Sequence, residues 1–319
     1  MVLIIFLLTI NIIAFFLYGI DKKKAIDGKF RISEATLITL AVIGGAFGAF
    51  LGMKVFHHKT KKKKFTFTVP VFVLIWSLFI GVIIYGNYHL VVTEYEYKAD
   101  TDLKIVQISD LHNQFFGFNE CILLDRIKKL EPDMIVVTGD VVDSHHTCYS
   151  LAEDFFKGAV EIAPVYYVTG NHEAWKLDSG FDEFISNIEA MGVHFLDGKR
   201  EELDDVVLVG TYRNAMANVP EFQADGKLKI LLAHDPMLYE EYKQTGADIV
   251  FTGHVHGGQI IIPGKGGLLS PDVSFFPKLY EGEHHFDDMT MYISRGLGNS
   301  AFPIRVNDDP EIVVVNVKR

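Results

Sequence analysis

The 319-residue sequence predicts an α/β domain behind an all-α membrane segment. Three observations carry that expectation. Residues 1–100 hold three long uncharged apolar stretches. From residue 103 onward, short runs rich in β-branched residues recur, and each ends in a polar cluster. Helix-like stretches separate several of those runs, which argues for parallel strands that present ligands at their C-terminal ends. Charge divides at the same point. Residues 1–100 carry 12 Lys and Arg against 6 Asp and Glu, whereas residues 101–319 carry 18 against 35. A composition of 49% hydrophobic and 22% charged residues excludes disorder, a coiled coil and a collagen-like repeat. The acidic balance of the second part argues against a nucleic-acid partner, since a phosphate backbone needs a basic face. Cys121 and Cys148 cannot form a disulfide framework and are expected as unpaired thiols, one of them buried.

Residues 1–20 carry no charge and are long enough to cross a bilayer. No basic stretch precedes them and no Ala-x-Ala follows, so a retained anchor is expected rather than a cleaved signal. Residues 65–90 are likewise uncharged and can span with tilt. The middle run, 35–53, is near the minimum length. It carries Gly44, Gly48 and Gly52 in one register, a smooth stripe suited to close helix packing and to self-association. Basic loops lie on both sides of it: Lys22, Lys23, Lys24, Lys29 and Arg31, then Lys54, Lys59 and Lys61 through Lys64. Three full spans would put these loops on opposite sides, whereas a re-entrant middle segment would keep both in the cytoplasm. The four consecutive lysines should stay inside, so residues 65–90 exit and the remainder lies outside the cytoplasm. His57 and His58, beside lysines, are expected to face solvent or headgroups. The expected division is a membrane domain over 1–90 with two or three transmembrane helices, a linker over 91–102, and a globular domain over 103–319.

In the globular part, Ile105–Ile108 leads into Asp110 and His112, and Met134–Val137 leads into Gly139-Asp140. Val165–Val168 leads into Gly170-Asn171-His172-Glu173, Ile230–Leu232 into His234, and Ile249–Phe251 into Gly253-His254-Val255-His256. Asn119 is expected to cap a helix with Ile122, Leu123, Ile127 and Leu130 on one face, and residues 181–191 and 237–243 read as helices. The tail, with strands expected at 291–294 and 312–317, points to a second sheet.

A lone Asp or His at a strand end is weak evidence, but the joint arrangement is not. Five of the 13 histidines fall at such positions. Alternate residues Asp110/His112 and His254/His256 point to one side of an extended segment, so each pair can face one metal. Oxygen and imidazole donors without thiolates suit Mn²⁺, Fe²⁺ or Zn²⁺, with Mg²⁺ as a further option. Seven candidate ligands exceed the need of one ion, and two ions about 3.5–4 Å apart sharing a carboxylate would use them all.

Asp110-x-His112, Gly139-Asp140-x-x-Asp143, Gly170-Asn171-His172-Glu173, His234 and Gly253-His254-x-His256 together resemble the calcineurin-like metallophosphoesterases over residues 103–318. Arg295-Gly-Leu-Gly-Asn, Pro303-Ile-Arg305 and Pro310-Glu311-Ile resemble its membrane-associated bacterial phosphodiesterases. The resemblance implies a two-sheet β-sandwich flanked by helices. It also implies one divalent ion on Asp110, His112, Asp140 and His256, and a second on Asp140, Asn171, His234 and His254. A water held between them would attack phosphorus, with His172 serving the leaving oxygen and Asp143 orienting His172. Ser144 stands where the protein-phosphatase branch has a phosphate-gripping arginine, which weakens that reading and leaves Arg213 or Arg295 as candidates to touch phosphate. Tyr18-Gly-Ile-Asp-Lys-Lys-Lys-Ala, Gly44-Gly45 and His57-His58-Lys-Thr resemble a small bacterial membrane domain of unassigned function. The expected function is membrane-anchored hydrolysis of phosphodiester or pyrophosphate bonds in a phosphorylated small molecule or lipid-linked substrate. The alternatives are a phosphomonoesterase and a non-catalytic metal-binding membrane sensor.

Overall fold

Residue-by-residue alternation along the strands of the globular part builds two sheets. The structure, a computed structural model, describes residues 2–176, 179–211, 215–216, 219–223, 226–271, 274–299 and 304–319. Arg213 and Pro303 lie outside the described residues. The chain separates into two compact units, Met1–Ile84 and Tyr85–Arg319.

In the second unit the strands are β1 (Val91–Lys98), β2 (Leu103–Ile108), β3 (Met134–Thr138), β4 (Val165–Val168), β5 (His194–Phe195), β6 (Arg200–Glu202) and β7 (Val206–Gly210). They continue with β8 (Leu228–Leu232), β9 (Ile249–Thr252), the hairpin β10 (Ile261–Ile262) and β11 (Gly266–Gly267), then β12 (Gly282–Phe286), β13 (Met289–Ile293) and β14 (Glu311–Lys318). One six-stranded sheet has the order β1-β14-β2-β3-β4-β5 and the other β12-β13-β9-β8-β7-β6. The central strands β2 to β5 are parallel, as are β7, β8, β9 and β13. Ile105, Val136, Leu208, Ile230, Phe251 and Val313 fill the layer between the sheets. Their neighbours Val106, Ile135 and Val137 face outward against helices, as do Val207, Leu231 and Val250 on the second sheet. The fold is thus the α/β two-sheet sandwich flanked by helices, and all the metal-ligand candidates leave the C-terminal ends of central strands.

Three expectations need correction here. The linker expected at 91–102 contains β1, which pairs in parallel with β14. Its Tyr95 and Tyr97 pack into the inter-sheet core while Glu94 and Glu96 point away, the period of a half-buried strand. Asn119 caps nothing. It sits at φ +53 ahead of the helix Cys121–Lys128, which buries Leu123 and Ile127 and leaves Ile122 exposed. Both cysteines are exposed.

The first unit contains α1 (Val2–Ile26), α2 (Glu34–Leu40), α3 (Ala46–Val55) and most of α4 (Lys63–Tyr88). Three stretches, Leu3–Ile26, Glu34–Val55 and Lys63–Tyr88, are long and apolar enough to cross a membrane. The middle one does not run straight. It breaks in the turn Ala41–Gly45, where Gly44 takes φ +124. Lys59 Nζ donates to Glu34 Oε1 at 3.0 Å, although a straight helix over those 22 residues would hold its ends about 33 Å apart. The segment therefore folds back on itself at the glycine. At the break Asn11 Nδ2 donates to the Gly44 carbonyl at 2.8 Å, and the Gly48 N–H donates to Asn11 Oδ1 at 2.7 Å. One side chain thereby satisfies both polar groups that the break releases.

The glycine stripe has a use other than the expected self-association. A Cβ on Gly48 would lie 1.9 Å from the Asn11 carbonyl oxygen, and one on Gly52 would lie 2.9 Å from Tyr18. The chain's own α1 occupies that face. Below the stripe, buried Asp21 accepts hydrogen bonds from Arg31 Nη2 at 2.6 Å and the Ile32 N–H at 3.0 Å, and bonds His58 Nε2 at 2.7 Å. It therefore ties both basic loops to one end of the helices. His58 is buried rather than solvated, and only His57 is exposed.

Candidate metal centre

The backbone at the strand ends is strained where the candidate ligands sit. Asp110, His112, Asp140, His254 and His256 all have positive φ, between +46 and +70. Such a conformation costs a non-glycine residue on the order of 1 kcal/mol, so five instances in one place mark a constrained site. Close packing adds to this. A Cβ at Gly170 would lie 2.2 Å from Asp140 Oδ1, and one at Gly253 would lie 2.2 Å from Asp110 Oδ2. Glycine is required at both positions for the ligand loops to meet.

Two of the three donor clusters gather the expected ligands, and the third joins His112 to Asp143 and His172. In the first, His112 Nε2 lies 3.1 Å from His256 Nε2, and Asp110 Oδ1 lies 3.9 and 3.6 Å from the same two nitrogens. In the second, Asp140, His234 and His254 converge, and His234 Nε2 lies 3.0 Å from Asn171 Oδ1. Asp140 Oδ2 stands between the clusters, 3.6 Å from His112 Nε2 and 3.2 Å from His234 Nε2. All seven residues expected as ligands are thus brought into one site. Asp110 and Asp140 are buried, and neither pairs with Lys or Arg among the described residues. Buried carboxylates are either paired or bound to a metal, so this donor set fits divalent cations.

Electrostatics point the same way. Burial pushes His112 down to about 3, and burial together with Arg305 holds His256 well below its ordinary value. Both rings are neutral at neutral pH, with lone pairs free to bind a cation. Burial alone would lower His234 and raise Asp140, but their mutual attraction outweighs it. The carboxyl is held well below its usual range and the imidazole is raised to about 10.

Asp143 and His172 are close but not coupled in the way expected. Asp143 Oδ2 lies 4.0 Å from His172 Nδ1 and 3.7 Å from His112 Nδ1, while Oδ1 accepts from the backbone N–H of His145 and His146. The Ser144 N–H donates to His172 Nδ1 at 3.0 Å. That bond makes Nδ1 an acceptor and leaves Nε2 as the protonated nitrogen of a neutral ring. Ser144, noted in the sequence only for not being arginine, is the residue that holds the ring.

Glu173 also acts through the backbone. It is buried and accepts from the N–H of Asp140 (2.8 Å), Gly170 (2.8 Å) and Val142 (3.0 Å), which fastens two ligand loops to each other. Burial, then the charge of Asp140, raises it to about 7. Arg295 is not free to grip phosphate, since Nη2 lies 3.1 Å from Glu311 and Nε lies 3.4 Å from Glu281. Arg305 is fully buried and bonded to Asp308 and the carbonyls of Gly298 and Arg295.

A two-sheet sandwich with clustered Asp and His side chains at its strand ends defines an α/β protein with a candidate metal centre. Residues 103–258 match the family model described as calcineurin-like phosphoesterase, and this part of the chain belongs to the calcineurin-like metallophosphoesterase family. Residues 11–65 match a family described as a protein of unknown function, DUF1294. The uncharacterized metallophosphoesterase YkoQ of Bacillus subtilis is 26% identical over 225 residues, covering 67% of this chain and 83% of YkoQ. The uncharacterized protein YsdA of the same organism is 42% identical over 82 residues, covering 26% of this chain and 92% of YsdA. A Bos taurus transmembrane protein with metallophosphoesterase domain is 28% identical over 236 residues, covering 66% of this chain and 52% of that protein. The family implies divalent metal ions, and the three apolar stretches associate the chain with a membrane.

Proposed function

We propose that the chain is a membrane-anchored hydrolase of phosphodiester or pyrophosphate bonds that works with two divalent ions. The observation that carries this reading is Asp140 Oδ2, poised between His112 Nε2 at 3.6 Å and His234 Nε2 at 3.2 Å. Asp110, His112, Asp140 and His256 would hold one ion, and Asp140, Asn171, His234 and His254 the other. Bound there, the ions would neutralise phosphate charge and supply an acidified water as nucleophile. The chain's own groups do the rest. The Ser144 N–H on Nδ1 keeps the proton of His172 on Nε2, from which it can pass to the departing oxygen. Glu173 keeps the Asp140 and Gly170 loops in register so that the ligands stay preorganised. The presence of His172 favours an enzyme over a metal-binding sensor.

The catalytic domain lies outside the cytoplasm in this reading. The bonds from Asp21 to Arg31 and His58 support it, because they put both basic loops at one end of the helices. Two crossings, α1 and α4, with Glu34–Val55 re-entrant, satisfy the positive-inside preference as three crossings would not.

The test is hydrolysis by the full-length chain in detergent, stripped of metal and resupplied with Mn²⁺, Fe²⁺, Zn²⁺ or Mg²⁺. Metal-restored cleavage of an aryl phosphodiester is expected to exceed that of the matching monoester. Cleavage of the monoester alone would move the reading to a phosphatase. No turnover with any metal would favour the sensor.

A further inference from the structure

Five residues beyond His256, the chain enters the hairpin β10–β11, which forms one wall of a concave pocket of about 420 Å³. The pocket is outside the ligand cluster but fastened to it. The N–H of Leu269 donates to the Gly258 carbonyl at 3.2 Å, and that of Phe276 donates to the Leu268 carbonyl at 3.1 Å. Five residues of chain reach at most about 18 Å, which bounds the distance from His256 to Ile261.

Its lining has two characters. Ile261, Ile262, Phe276 and Tyr280 make an apolar and aromatic wall, and Lys265 and Lys278 stand among them. Neither lysine makes an ion pair among the described residues, in a part of the chain where acids outnumber bases 35 to 18. Phe276 is 44% exposed and held at φ +54, with Phe275 beside it 68% exposed. A bulky aromatic residue at positive φ is a genuine outlier and points to a function for the ring's position.

We propose that this pocket is a substrate subsite for an anionic amphiphile. The lysines would take phosphoryl oxygens, and Ile261, Ile262, Phe276 and Tyr280 the first part of an apolar tail. The proposal rests on the hydrolase reading above and adds a substrate class to it: a phosphodiester carrying a lipid-like arm. Arg295 and Arg305 are consumed by internal partners, whereas Lys265 and Lys278, in the lining itself, make no ion pair among the described residues.

The test uses the full-length, metal-supplied chain and two soluble chromogenic diesters with the same leaving group, methyl 4-nitrophenyl phosphate and hexyl 4-nitrophenyl phosphate. Wild type is expected to favour the hexyl ester by roughly tenfold or more in kcat/KM, because each buried methylene adds to binding. Phe276→Asn, which tolerates positive φ, and Lys265→Ala/Lys278→Ala should each lower hexyl-ester kcat/KM by several-fold or more. Phe276→Asn should also bring the preference to within about twofold, since it removes the tail's wall. Rates on the methyl ester should stay near wild type in Phe276→Asn, which shows that its metal centre is intact. Equal use of both esters by wild type, or a hexyl rate untouched by the variants, would overturn the subsite alone. A Phe276→Asn variant that lost both activities together would also overturn it. No turnover of either ester by wild type would overturn the hydrolase reading and the subsite with it.

Discussion

Asp21 and Asp140 are both buried beside histidines, and they differ in their other neighbours. Asp21 is met by two cations, Arg31 at 2.6 Å and Lys59 at 3.6 Å, with His58 Nε2 at 2.7 Å and the Ile32 N–H as further polar partners. Asp140 has three imidazoles near it and no Lys or Arg partner among the described residues; its Oδ1 accepts the His172 N–H at 2.8 Å. The first carboxylate is complete as it stands and serves as a tie between two loops. The second has a buried charge with only neutral or protonated imidazole to meet it, which is the environment of a metal ligand. A His–Asp pair alone separates neither case; the presence or absence of guanidinium and ammonium groups does.

Mutation separates the two aspartates. Asp140→Asn should abolish metal-restored hydrolysis, a loss on the order of a thousandfold or more, since the ions supply several kcal/mol of charge stabilisation. His172→Ala should lower turnover by about a hundredfold to ten-thousandfold while leaving the bound metal unchanged, as measured by elemental analysis. Loss of metal in that variant would make His172 a ligand instead. Asp21→Asn should leave metal content and turnover intact but destabilise the membrane unit by about 1 to 3 kcal/mol, the loss of charge-assisted hydrogen bonds to a buried carboxylate. Thermal unfolding in detergent checks this, and metal loss would erase the distinction between the two aspartates.

Topology offers a sharper version of the same contrast. In a chain freed of Cys121 and Cys148, Lys29→Cys and Lys61→Cys should both resist an impermeant thiol reagent until lysis, whereas Lys98→Cys, exposed at the end of β1, labels in intact cells. Labelling of Lys29→Cys and Lys61→Cys from opposite sides would require three full crossings and deny the fold-back at Gly44.

The smallest effect concerns Glu120, which is buried and accepts from the Phe116 N–H. Burial raises its pKa from 4.5 to about 7. A raised carboxyl contributes stability that is fully present below pH 4.5 and lost as pH climbs to about 7. Glu120→Gln does not titrate, so its unfolding midpoint should gain on wild type across that window and hold the gain above it. A difference that stays flat with pH would deny the shift.

Much of the candidate site was legible because the candidate ligands stand at the ends of runs whose composition already identifies them as buried strands. Asp110, His112, Asp140, Asn171, His234, His254 and His256 needed only that reading and their types. What escaped were the backbone partners that Ser144 and Glu173 join. Ser144 holds His172 with an N–H that every residue but proline carries, and Glu173 binds three N–H groups brought together only by the fold. β1 was readable in the alternation of Glu94 and Glu96 with Tyr95 and Tyr97, but its pairing with β14 joins residues more than two hundred positions apart. The fold-back of Glu34–Val55 depends on how Asn11 meets Gly44 and Gly48, a contact between segments that hydropathy treats separately.

Whether two ions share Asp140 is decided by counting metal per chain. Full-length protein loaded with Mn²⁺ or Zn²⁺ and freed of excess should carry two ions, and Asp140→Asn should carry fewer than one. Two ions retained in both would contradict the shared carboxylate, and a single ion in wild type would contradict the pair of sites.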